Sequence, residues 1–385
     1  MSSKKHTNKV YSTHRNIWKT SLMTLPMMFI LIIFMTGGNL SFSNNHSLLA
    51  FVITYVFFAS SFFLMLYTGK TDKFRAIIFI LFAVFLSFTF INNLIDMRGS
   101  MALSNADFLQ CKVPLCHLVI PMLIVPAAIT KSIIFPGSIL QGFASIASMI
   151  VLWLGGSLAL GRGFCSWGCF YGGWDEAFSR ISKKPRIKKI TSKLRWFPFA
   201  VLLMVVIASA LTLSPVYCGW LCPFKAVTEF EPVTSVETLV KTILFVALFA
   251  GLVVVLPILT KKRIQCTYFC PMGALMSFFN RINIFGIKIN QKKCTQCKVC
   301  VRVCPFNAID PETLKLQNPN MCAKCGKCID ACPQQAIHYK VKGSSPEKHL
   351  TASRNLFLFS SFLFLAVFSS GAMQNGIIQL LKWFT

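Results

Sequence analysis

Cys294-Thr-Gln-Cys297-Lys-Val-Cys300-Val-Arg-Val-Cys304-Pro305 is followed, after a short spacer, by Cys322-Ala-Lys-Cys325-Gly-Lys-Cys328-Ile-Asp-Ala-Cys332-Pro333. Each half reads C-x2-C-x2-C-x3-C-P. Three closely spaced thiolates wrap one corner of a cubane cluster. The fourth, just before the proline, reaches across to the other cluster. The spacing therefore predicts one [4Fe–4S] cluster on Cys294, Cys297, Cys300 and Cys332, and a second on Cys322, Cys325, Cys328 and Cys304. Zinc would need two C-x2-C pairs per metal and gives no reason for a repeated Cys-Pro ending. Two clusters this close have one obvious use, which is to pass single electrons.

Outward from that stretch the composition is that of a membrane protein. Of 385 residues, 55% are hydrophobic and 13% charged, where a soluble chain carries about a quarter charged residues. Lys and Arg number 39 against 12 Asp and Glu, a net charge of +27. These cations cluster between long apolar runs. That is the positive-inside pattern, and it also suits an anionic lipid surface. The same distribution argues against a nucleic-acid partner. All 16 cysteines fall in tight local groups: the eight above, and Cys111/Cys116, Cys165/Cys169, Cys218/Cys222 and Cys266/Cys270. With none left over, the arithmetic favours metal clusters over a disulfide framework.

Apolar runs near the ~20 residues that cross a bilayer lie at about 22–37, 48–67, 76–95, 138–160, 197–213, 239–259 and 356–372. No small-residue cleavage motif follows the first, so it reads as an uncleaved span. Residues 118–136 carry Pro121, Pro126, Lys131 and Pro136, and read as a re-entrant or interfacial piece. With that count the basic N-terminus (Lys4, Lys5, Lys9, Arg15, Lys19), the 180–195 loop and Lys261-Lys262-Arg263 share one side. The expected fold is an all-α polytopic membrane domain of about seven transmembrane helices with a small α+β dicluster ferredoxin domain. The expected segments are 1–136 (three spans, the external Cys111/Cys116 pair and the re-entrant piece), 137–285 (membrane region with C-x3-C half-sites), 286–341 (ferredoxin domain) and 342–385 (last helix and tail). The expected location is the bacterial inner (cytoplasmic) membrane, multi-pass, with the ferredoxin domain cytoplasmic.

Cys165-Ser-Trp-Gly-Cys169, Cys218-Gly-Trp-Leu-Cys222-Pro223 and Cys266-Thr-Tyr-Phe-Cys270-Pro271 share one design, a C-x3-C with an aromatic in its spacer at a span end. Residues i and i+4 of a helical turn lie on one face, so each pair is half of a cluster site. Counting crossings puts Cys165/Cys169 and Cys266/Cys270 on the cytoplasmic face, and Cys218/Cys222 on the opposite face with Cys111/Cys116. Two further iron–sulfur clusters are then expected: an inner one on Cys165, Cys169, Cys266 and Cys270, and an outer one on Cys111, Cys116, Cys218 and Cys222. Buried apolar thiols or, outside, disulfides are the plainer readings. Cys111, Cys116 and His117 make C-x4-C-H, longer than the C-x-x-C-H of covalent haem, which argues against haem there.

Asp175 and Glu176 sit beside the inner half-sites, where they either relay a proton or cap a helix and meet Arg180 and Lys183. Trp167, Trp220 and Tyr268 either line an electron path or anchor span ends. Lys298, Arg302, Lys324 and Lys327 stand between ligand cysteines. They either tune the clusters and dock an acidic donor or form a solvated face.

These motifs resemble the membrane-bound polyferredoxins of the NapH/NosR type. The resemblance covers about 137–341. It rests on Gly161-Arg162-Gly163-Phe164-Cys165 entering a C-x3-C, on Cys266-Thr-Tyr-Phe-Cys270-Pro-Met-Gly-Ala, and on the paired ferredoxin runs. Phe170 stands where the family usually has proline, and the Cys218/Cys222 pair and three N-terminal spans exceed its simplest pattern. The resemblance implies electron transfer among a quinol pool, cytoplasmic donors and a periplasmic or membrane partner, by an electron-transfer subunit rather than a stand-alone enzyme. Membrane lipid, redox partner proteins and quinone are the partners to expect. An assembly or maturation reductase for another membrane metalloenzyme, or a redox sensor, are the alternatives.

Overall fold

The computed structural model describes residues 17–36, 38, 44–96, 120–122, 146–187, 190, 192–228, 233–316, 319–344 and 350–384. Its long helices are α1 Ile17–Thr36, α2 Asn45–Thr68, α3 Thr71–Asp96, α4 Ile146–Ala159, α5 Phe170–Ile181, α6 Phe197–Thr212, α7 Val236–Leu248, α8 Pro271–Phe279 and α9 Leu350–Phe384. Two strands, β1 Phe285–Ile289 and β2 Ile337–Val341, pair antiparallel from Phe285↔Val341 to Ile289↔Ile337.

Local chemistry sets several of these boundaries. Asn44 and Ser47 form a reciprocal cap at the start of α2, and Gly69 takes the left-handed conformation that ends it. Ser235 opens α7 by accepting from Thr238 N. Helix α7 then widens into a π-helical stretch, Phe249–Val255, before Leu256–Thr260.

Five described helical stretches are long and apolar enough to cross a membrane: Ile17–Thr36, Asn45–Thr68, Leu194–Thr212, Val236–Thr260 and Leu350–Trp383. The expected run at 76–95 is helical within α3, whose first turns also carry Asp72, Lys73 and Arg75. The expected run at 138–160 is described only as α4, 14 residues long, short of the ~20 a crossing needs.

The chain divides into two compact units interleaved in sequence, where the sequence reading cut it into consecutive segments. One gathers Met1–Thr89, Arg162–Gly173 and Asn283–Thr385, the other Phe90–Gly161 and Trp174–Ile282. In the first unit α1, α2 and α9 pack on one another, with Phe62 against Phe362 at 4.7 Å. The same α9 carries the ferredoxin strands. Phe357 stacks on Tyr339 at 4.3 Å and meets Phe285 and Trp167 edge-on at 5.3 and 5.8 Å. In the second unit α6 packs on α8 through Phe199 and Phe278, and Trp153 of α4 meets Phe279 at 4.8 Å.

Candidate iron–sulfur centres

The ferredoxin region repeats its backbone residue for residue. Gln296 and Lys324, Lys298 and Gly326, and Asn307 and Gln335 are matched pairs in the left-handed region. Between them lie the short helical turns Val299–Val303 and Lys327–Ala331. Cys304 and Cys332 end those turns in extended conformation, ahead of a proline each. Alternating handedness of this kind turns successive N–H groups inward, where they face an anion. Two of them reach sulfur: Ala308 N donates to Cys304 Sγ at 3.4 Å and Ala336 N to Cys332 Sγ at 3.3 Å.

Two cavities open within this repeat. One is lined by Cys294, Cys297, Cys300 and Cys332, among others. The other is lined by Cys304, Cys322, Cys325 and Cys328, among others. Each cavity thus has four of the eight cysteines in its lining. Electrostatics follow the same division. Burial raises the Cys300 thiol, and Cys332, Cys294 and Cys297 push it further up. Burial raises Cys328 well above its ordinary value, and Cys325, Cys304, Cys322 and Cys300 add to that. Thiols crowded this way resist ionising together unless cations sit among them, and iron supplies that charge. No group of three or more His, Cys, Asp or Glu among the described residues is drawn tightly enough for a single ion, and a four-iron, four-sulfide cubane is far larger than one ion.

The two cavities face different surroundings. Cys297 is exposed, whereas Cys304, Cys325 and Cys328 are buried. Arg75, fully buried, donates to Cys325 O at 3.0 Å, Ser166 O at 3.0 Å and Asp72 Oδ1 at 2.8 Å. Trp167, also fully buried, donates through Nε1 to Lys324 O at 3.2 Å. Arg162 lies over the Phe306 ring at 5.6 Å. The Cys165–Cys169 turn therefore beds directly on the Cys322–Cys328 loop. The Asp330 carboxylate accepts from both Thr71 N (3.2 Å) and Asp72 N (2.7 Å), capping α3. Burial raises its pKa to about 6.

Gly326 closes the packing against Tyr339 and Thr71. Its φ is +85°, and a Cβ there would stand 2.7 Å from Tyr339 Oη and 3.2 Å from Thr71 Cβ. Gly326→Ala is expected to strain the loop and strip iron from the buried cavity first. Iron analysis and EPR of the purified protein would register this as a loss of about four irons, and an unaltered iron content would refute it.

In the second unit Asp175, Glu176 and Arg263 are fully buried. Arg263 Nη2 donates to Cys266 Sγ at 3.1 Å and its Nη1 reaches Glu176 Oε2 at 3.4 Å. Its Nε lies 3.9 Å from Asp175 Oδ2, a Coulombic contact rather than a hydrogen bond. Asp175 Oδ2 accepts from Cys266 N at 3.0 Å. Burial pushes the Asp175 pKa up to about 7, against the pull of Arg263 and the Cys266 N–H. Glu176 also pairs with Arg180, so the carboxylates meet an arginine as one of the two sequence readings had it.

The remaining expectations fare unevenly. Cys165 and Cys169 belong to the first unit, Cys218, Cys222, Cys266 and Cys270 to the second. Cys111, Cys116 and His117 lie outside the described residues, as do Lys4, Lys5, Lys9, Arg15 and all of 118–136 but 120–122. The expectation that Cys218/Cys222 and Cys266/Cys270 lie on opposite faces does not hold. Gln265 Nε2 donates to Tyr217 Oη at 3.1 Å, so the two motifs adjoin. Helix α6 stops at Thr212, Leu213 takes left-handed φ, and Val216 N returns to Ser209 Oγ at 3.3 Å. The chain folds back there instead of running on. Lys298 and Arg302 are exposed, Lys327 is half-buried, and Lys324 is buried at 2% exposure, with burial lowering its pKa to about 7. Trp167 and Tyr268 are buried, and Trp220 is exposed under Lys241, 4.7 Å from its ring. Arg75, Arg263, Tyr217 and Gln265 gave no sequence signal beyond their place beside a half-site or a basic link.

A 4Fe-4S dicluster domain model matches residues 293–337, and a second 4Fe-4S dicluster model matches 264–308. A 4Fe-4S binding domain model matches twice, at 141–188 and 194–230. Relatives include the uncharacterized protein MJ0749 of Methanocaldococcus jannaschii, 30% identical over 38% of this chain and 52% of that protein. Regulatory protein NosR of Pseudomonas aeruginosa is 29% identical over 46% of this chain and 26% of its own length. Putative electron transport protein YccM of Escherichia coli is 25% identical over 42% of this chain and 46% of its own. The chain thus spans about half or less of each of these relatives. No solved structure matches it significantly. The iron–sulfur domains, the membrane-length helices among the described residues and these relatives support a membrane-bound protein with an electron-transfer or related redox role. Over the matched stretches the chain is similar to the membrane-bound 4Fe–4S proteins of the NapH/NosR type.

Proposed function

We propose that the protein relays single electrons between a soluble donor at the cytoplasmic face of a bacterial inner membrane and a quinone, or a periplasmic or membrane partner. About seven crossings with the ferredoxin domain on the basic side complete this reading. The observation that carries it is the unequal burial of the two cysteine sets: Cys297 is exposed, while Cys325 and Cys328 are enclosed beside Arg75 and Trp167. Each [4Fe–4S] cluster, when bound, takes up and gives back one electron at a time. The chain's own residues decide where partners come in. Lys292, Lys293, Lys298 and Arg302 are exposed around the outer set. Such a rim attracts an acidic partner and raises its encounter rate in a salt-dependent way. Trp167 links the enclosed set to the Cys165–Cys169 turn.

Reversing that rim tests the entry point. The Lys298→Glu/Arg302→Glu double variant is expected to slow reduction by an acidic electron-transfer protein about tenfold at low salt, while dithionite still reduces it at the normal rate. A rate unaffected by the reversal would place entry elsewhere. In nanodiscs, the reduced protein should be reoxidised by a soluble menaquinone analogue on a turnover timescale, and no response would remove quinone as the acceptor. A sensing role is the second reading, favoured by the name Regulatory protein NosR that one relative carries. It expects a cluster-deficient variant to alter partner control while bulk electron flow continues.

A further inference from the structure

The second unit contains two copies of one local structure. In the first, Leu213 is left-handed, a π-helical turn runs Tyr217–Leu221, and Cys222 leaves it in extended conformation before Pro223. In the second, Lys261 is left-handed, a π-helical turn runs Gln265–Phe269, and Cys270 leaves it extended before Pro271. In both, a left-handed residue reverses the chain after a long helix. In both, the wide turn begins one residue ahead of the first cysteine. π-turns are rare, and they mark functional sites.

These copies meet. Their opening residues, Tyr217 and Gln265, are joined by the 3.1 Å hydrogen bond, and the Tyr217 ring lies 6.4 Å from that of Phe269. Tyr217 and Gln265 are 0% and 1% exposed. We propose that Cys218, Cys222, Cys266 and Cys270 together hold one [4Fe–4S] cluster, each π-turn supplying two thiolates.

Independent observations point to a ligand here. Arg263 Nη2 sits 3.1 Å from Cys266 Sγ, and a cation beside sulfur favours the thiolate that binds metal. Two buried polar atoms within the second turn, Gln265 Oε1 and Thr267 Oγ1, have no hydrogen-bond partner among the described residues. Orphans of this kind mark a missing ligand or water. Gly273 lets helix α8 come close, since a Cβ there would stand 2.7 Å from Cys266 O. The pairing replaces the one that counting crossings suggested, and it adds a centre to the two of the ferredoxin region without depending on the relay reading.

The test is an iron and acid-labile sulfide count on the full chain, purified without oxygen in detergent. The Cys218→Ala/Cys222→Ala and Cys266→Ala/Cys270→Ala variants should each lose the same complement, about four irons. The fourfold variant should lose no more than either. Losses that add in the fourfold variant, or no loss in either double, overturn the proposal. The irons of the ferredoxin region stay in every variant, so a fault in those two centres reads out separately. Should the variants fail to fold, the wild type decides. After chelation of iron and mild oxidation, peptide mass mapping should find disulfides joining 218–222 to 266–270. Disulfides from these cysteines to Cys165, Cys169, Cys111 or Cys116 instead would overturn it.

Discussion

Arg75→Ala is expected to destabilise the first unit by about 3–5 kcal/mol, the cost of breaking a buried charged pair by removing one partner. The buried guanidinium satisfies three acceptors on three separate pieces of chain: Asp72 in α3, Ser166 in the Cys165–Cys169 turn and Cys325 in the ligand loop. Without it the Asp72 carboxylate and two carbonyls lose their donor in a place water does not reach, and each is costly to leave unpaired. Cys325 O is anchored by this contact, so the enclosed cysteine set should loosen before the exposed one. Iron analysis after gentle heating should show about four irons lost early, with the Cys294–Cys300 set retained longer. Arg75→Lys should rescue only part of the effect, because an ammonium cannot match the planar fork that serves three directions. Equal heat resistance of Arg75→Ala and wild type would show that the knot contributes nothing.

The ferredoxin repeat was legible because its cysteine pattern is written at short range and twice over, and the left-handed pairs from Gln296/Lys324 to Asn307/Gln335 fold both copies alike. The apolar runs of α1, α2, α6, α7 and α9 were legible for the plain reason that hydrocarbon-length helices need little else. The meeting of Tyr217 with Gln265 was not. It depends on chain reversals at Leu213 and Lys261, and glycine is the usual sign of such a reversal. A leucine and a lysine give no such sign, so each motif reads as if it emerged beyond its own span. Arg75 and Arg263 were hidden for another reason. Both stand in short basic links, Lys70–Arg75 and Lys261–Arg263, which read as positive-inside anchors. In the fold each turns inward to a buried carboxylate. Lys324 likewise looks like part of a docking surface, and burial between the ligand loop and its neighbours gives it another environment.

Arg263→Ala is expected to be the most damaging single change in the second unit, again about 3–5 kcal/mol, with a pH dependence that identifies its cause. Arg263 faces Asp175, Glu176 and the Cys266 sulfur, all at positions without solvent. In the intact protein burial raises Asp175 to about 7 from an ordinary 3.8, and Arg263 opposes that rise. A carboxyl whose folded pKa is raised contributes stability that is fully present below the unfolded value and is lost as pH rises through the folded value. Removing Arg263 takes away the opposing charge, so Asp175 climbs above about 7 and holds its proton over more of the neutral range. The variant can then bury Asp175 neutral at pH 6, whereas at pH 8 ionisation sets two carboxylates against each other without a cation between them. The stability gap to wild type should therefore widen from pH 6 to pH 8, read by thermal unfolding of the purified protein in detergent. A gap of the same size at both pH values would show that the carboxylates do not sense Arg263. Arg263→Lys separates charge from geometry. Its ammonium should restore most of the pH 8 stability by facing the carboxylates. It has no second arm for Cys266 Sγ, so alkylation of Cys266 in the iron-free protein should slow, because the thiolate there would no longer be favoured.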